Sequence, residues 1–161
     1  MPLNDELNRM LDAYDARRKA AEARERKVKD DDARFLADFA ELRRTVVRPV
    51  FEAAGAVLKA RGHGFEIEEQ EFAANAAGQP TEAGITISIA PLGAEPLRAG
   101  DHSRSLSITT RHYNKSVWIN AGASQDAGGV AGAKGAYPLE KVDRQLVEEA
   151  LLKFVARVVE A

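Results

Sequence analysis

Apolar residues repeat along this chain with two different periods, and each change of period marks an element. From Phe35 onward, Phe35, Leu36, Phe39, Leu42, Val46, Val47, Val50, Phe51, Ala54, Val57 and Leu58 return every three or four residues. This is a broad helical stripe of the kind that packs on a core. Pro49 removes a backbone donor and disfavours helical geometry at Arg48, so a kink or restart is expected there, with Gly62 ending the helix.

The period then falls to two. "GFEIEEQEF" (64–72), "AGITISIAPL" (83–92), "RSLSITTRHY" (104–113) and "KSVWINAGA" (115–123) read as successive strands. Ile85, Ile87, Ile89, Leu106, Ile108, Val117 and Ile119 fall on one side. Thr86, Ser88, Ser105, Ser107, Thr109, Arg111, Ser116, Trp118 and Asn120 fall on the other. That alternation predicts an antiparallel sheet with one packed and one wet face. "YNKS" suits a tight turn between the last two strands, and "ANAAGQPTE" and "LGAEPLRAGDH" are longer connections.

Helical spacing returns in Leu146, Val147, Ala150, Leu151, Phe154, Val155, Val158 and Val159, with Asp143 placed to cap the helix. The expected fold is therefore α+β. It is a two-layer domain with a four-stranded antiparallel meander and the long N-terminal and C-terminal helices on one face, in the order α-β-β-β-β-α.

Residues 1–31 differ from the rest, which reads as one α+β domain over residues 32–161. No glycine or proline interrupts residues 3–47, and acid-before-base pairs such as Asp5/Arg9 and Asp15/Lys19 support a helical arm. The three acids Asp30 to Asp32 also suit the positive end of a second helix starting there. Leu3, Leu7, Met10 and Tyr14 follow the 4-3-4 spacing of a coiled-coil seam, but the continuation falls on Arg17, Ala21, Arg24 and Val28, so the apolar seam is short. Residues 1–16 carry four acids against one base, whereas residues 17–29 carry seven bases against two acids. An antiparallel partner of the same sequence would set acidic beside basic.

Composition narrows the chemistry. The 161 residues are 45% hydrophobic and 30% charged, with a formal net charge of −2, so no global field favours nucleic acid or an anionic membrane. The absence of cysteine removes disulfides, thiolate zinc sites and cysteine nucleophiles. No apolar run has the roughly 18 residues of a membrane span, and the first ten residues lack a leader's basic-then-apolar order, so a cytoplasmic location is expected. The basic run "RRKAAEARERKVK" has no interleaved aromatics and mixes acids with its bases, which argues for a solvated helix face over a nucleic-acid surface.

Four glycines and a lysine in "DAGGVAGAKGAYP" (126–138) raise the question of a phosphate cradle built on Gly128, Gly129 and Lys134. Lys134 precedes a glycine instead of a hydroxyl residue, so the P-loop pattern fails. Tyr137 and Pro138 also separate the glycines from the helix, so a mobile connector is the better reading and a ligand-contacting nest the lesser one. His63, His102 and His112 are too dispersed for a shared metal, and "DHSR" reads as a polar turn. Glu66, Glu68, Glu69 and Glu71 read as a charged edge strand.

These features imply no cofactor and no metal. They point to a non-enzymatic interaction protein that associates, with itself or another protein, through Leu3, Leu7, Met10 and Tyr14. Its polar sheet face and glycine loop are then left to a partner. The alternative is a domain binding a nucleotide or phosphorylated metabolite, with Arg111 and Trp118 supplying a cation beside an aromatic and Lys134 and Tyr137 nearby.

Overall fold

The computed structural model describes residues 2–73, 81–95, 103–121 and 136–160. Helix α1 runs unbroken over Pro2–Leu42, through Asp30 to Asp32. Two compact units divide the chain, Met1–Arg34 and Phe35–Ala161. In the first, every residue from 2 to 30 is exposed, so this stretch of helix rests on its own backbone bonds and local ion pairs. Arg9 takes Glu6 as its partner at 2.8 Å, one turn earlier on the same face.

The second unit carries the hydrophobic core. Beyond α1 come a π-helical segment, Arg43–Val47, and α2, Arg48–Ala60. Strands β1 (Gly64–Gln70), β2 (Gly84–Ala90), β3 (Ser105–Arg111), β4 (Ser116–Ala121) and β5 (Ala136–Pro138) follow. Helix α3 (Arg144–Glu160) completes the described chain. The sheet order is β1-β2-β3-β4-β5 with every neighbouring pair antiparallel, so the expected meander stands with one strand more. The fifth strand is only Ala-Tyr-Pro, too short for alternation to reveal, and its proline suits a sheet edge because that position needs no donor.

The isoleucine side is sealed as the alternation requires. Ile85, Ile87, Ile89, Leu106, Ile108 and Val117 are buried together with Phe39, Val47 and Phe51 from the N-terminal helices and Val147, Leu151 and Phe154 from α3. Gly55 lets the sheet approach α2, since a Cβ there would collide with the Phe65 ring. Two residues assigned to buried stripes are instead exposed: Val57 at 61% and Val159 at 52%. The apolar arcs of α2 and α3 are wider than the surface the sheet covers. Among the described residues no helix is long and apolar enough to cross a membrane.

Pro49 marks the expected restart, α2 beginning at Arg48 directly after the π segment. It lies within the first turn of α2, where its missing donor is tolerated, and the residue whose carbonyl it would have bonded, Thr45, sits in the π segment. Arg48 N–H donates to Arg43 O, five residues back, and the Thr45 hydroxyl donates to Glu41 O at 2.8 Å. The wider turn also has a packing role. Phe39, Arg43, Val47 and Phe51 recur every four residues and are all buried. In a pure α-helix each such step overshoots by about 40°, and a π turn takes up that drift. The C-terminus of α2 closes in a Schellman arrangement: His63 N–H donates to Leu58 O (2.9 Å) and Gly62 N–H to Lys59 O (3.0 Å), with Gly62 at φ +88°. Asp143 caps α3 as its sequence position predicts, accepting from Leu146 N–H at 2.9 Å.

Candidate functional site

Strand register decides what the polar face presents. β3 and β4 align Thr109 with Trp118 and Arg111 with Ser116, which puts Arg111 diagonally across from Trp118 on one face. The guanidinium lies 4.3 Å from the indole ring centroid, within cation–π range, and Arg111 Nη1 also donates to the Tyr113 hydroxyl at 3.3 Å. Trp118 Nε1 is buried with no hydrogen-bond partner among the described residues. Gly84 and Ala136 flank the Thr109/Trp118 pair in register, so no bulky side chain crowds it from the neighbouring strands.

Across the remaining face the hydroxyls bond to one another. Thr86 and Ser107 meet at 2.9 Å, as do Ser88 and Ser105. Beyond them, Glu66 and Glu68 stand opposite Ser88 and Thr86 on the sheet's β1 edge. The surface therefore grades from carboxylates, through hydroxyls, to an aromatic with a cation.

Tyr137 does not join this surface. It pairs with Val117, half-buried against the core on the opposite face from Trp118, because period two in β5 sends neighbouring residues to opposite sides. Gly128, Gly129 and Lys134 lie outside the described residues, as do Asp101 and His102. Leu3, Leu7, Met10 and Tyr14 are all exposed, as are Leu11 and Val28.

Two polar clusters were not visible in the sequence. Arg43 is buried, donating to Gln70 O (3.0 Å), Gly84 O (3.3 Å) and Glu71, with Glu69 at 3.6 Å. Glu69 also meets Arg48 at 3.3 Å. Hydrogen bonding to Glu52 in the first place, and then to Glu69, holds the Arg48 guanidinium above its ordinary range. Two of the four clustered acids, Glu69 in β1 and Glu71 just beyond it, thus anchor the helix to the sheet edge. The only hint in the sequence was an arginine inside an apolar stripe.

The second cluster gathers at Glu82, which accepts from His112 N–H (3.1 Å) and meets His112 Nδ1 at 2.8 Å and the Thr110 hydroxyl at 3.1 Å. The fully buried Thr110 hydroxyl also exchanges hydrogen bonds with the backbone of Ala83, accepting from its N–H and meeting its O, both at 3.1 Å. The cluster staples the start of β2 to the end of β3. Among the described residues no three metal-ligating side chains gather.

No family model matches the chain, and neither a curated protein nor a solved structure is significantly similar to it.

Proposed function

We propose that the protein is a cytoplasmic, non-enzymatic interaction module that self-associates through its N-terminal helix and offers its polar sheet face to a partner. The observation that carries this reading is the row of exposed Leu3, Leu7, Met10, Leu11 and Tyr14 on a helix whose residues 2–30 bury nothing. Covering one such side chain completely is worth about 1.5–3 kcal/mol, a standing drive towards a second surface. Light scattering on the full chain should return a multiple of 17.5 kDa. Removing residues 1–31 should return the monomer, since every core residue lies at or beyond Phe35. An equal association state with and without the helix would reject the reading.

A second reading rests on Arg111 and Trp118. A guanidinium over an indole, next to an unpartnered indole N–H, suits a planar ligand bearing an anionic group, such as a nucleotide or phosphorylated metabolite. Trp118 is the chain's single tryptophan, so its fluorescence reports binding directly. Titration with nucleotides should quench it, with the response weakened in Arg111→Ala. No change with any of them would reject this reading.

A further inference from the structure

Resting on the association reading above, we propose that the partner of the N-terminal helix is a second copy of the same helix, antiparallel, with facing residues whose numbers sum to 31. The seam has two rows, Leu3, Met10, Arg17 and Arg24 in one and Leu7, Tyr14, Ala21 and Val28 in the other. Antiparallel packing sets one row against the other. The layers are then Leu3 on Val28, Met10 on Ala21, Leu7 on Arg24 and Tyr14 on Arg17, each formed twice by the two-fold.

Leu3, Leu7, Met10, Tyr14 and Val28 are all exposed in the single chain. In the remaining layers the arginine stems cover Leu7 and Tyr14 while their guanidinium groups reach water, and Arg17 gains an aromatic face. Along the flanks Glu6 comes opposite Lys27, and Ala13 opposite Ala20, which lets the backbones approach. Glu6 already touches Arg9 of its own helix, but that contact is solvent-exposed and gives way at little cost.

Charge selects this arrangement over its competitors. Antiparallel overlap lays residues 1–16, four acids against one base, along residues 17–29, seven bases against two acids. A parallel pair would lay like on like in both halves. Sliding by one heptad loses the Glu6/Lys27 contact or strands Leu3 and Leu7. In the chosen register the overlap ends at residue 28, short of Phe35 where the second unit begins.

Because the chain has no cysteine, single cysteines report orientation without background. Full-length Met10→Cys and Ala21→Cys proteins are treated with a short bismaleimide, separately and mixed in equal amounts. Both positions are exposed on the helix, so neither change disturbs the core. The mixture should give linked dimer several-fold above either protein alone, and high salt should reduce the yield. Linking of Met10→Cys with itself would show a parallel pair. A mass above 17.5 kDa without linking in the mixture would show another face or register. Either result overturns this inference while leaving the association reading intact. A full chain that stays monomeric overturns both.

Discussion

Replacing Arg43 by methionine keeps most of the aliphatic stem but removes the guanidinium, which lies 6.0 Å from the Phe39 ring centroid, and with it every polar contact. Gln70 O and the buried Gly84 O then lose a charged donor. Hydrogen bonds to charged groups contribute about 1.5–3 kcal/mol each, and a buried carbonyl left unpaired costs about 1–3 kcal/mol. The carboxylates suffer less, because Glu69 is 33% and Glu71 73% exposed and both regain water. The 3–5 kcal/mol typical of breaking a fully buried pair is therefore an upper bound, and about 2–4 kcal/mol is expected. Urea unfolding of the full chain should show a midpoint lowered by about 1–2 M at unchanged slope. Glu71→Gln should cost less, about 1 kcal/mol, because Glu71 itself is 73% exposed and Glu69 and the two carbonyls still face the buried guanidinium. Arg43→Met within about 0.5 kcal/mol of the parent, or Glu71→Gln as costly as Arg43→Met, would refute the claim that backbone carbonyls are the chief beneficiaries.

Other positions give equally direct tests. Gly55→Ala raises helix propensity by about 1 kcal/mol, yet its methyl collides with Phe65. Net destabilisation of about 1–2 kcal/mol is expected by urea unfolding, and Phe65→Leu in the same background should recover part of it. Asp143→Ala removes the α3 cap and should cost about 1 kcal/mol, with Asp143→Asn nearly neutral in the same assay.

How much of this was legible depended on whether a residue's role is local. The isoleucines of β2 announced the core because period two admits one packed face, and Asp143 and Gly62 announced helix ends because capping is fixed by neighbours in sequence. Trp118 and Arg111 could be placed on one face but not in contact; the 4.3 Å approach needed the register. Arg43 was hidden because its partners lie 27 and 41 residues away. The face taken by Tyr137 could not be read because three residues are too few to show alternation. The π segment escaped notice because the stripe was read with α-helical spacing, and the effect of Pro49 falls on the preceding turn.

The sheet's two margins bear on how the molecule meets others. β1 lines one margin with carboxylates, and β5 is three residues long and ends at Pro138. Neither end readily templates another strand. Cross-β stacking and fibre growth are discouraged at both, so the sheet resists recruitment as a template from either side.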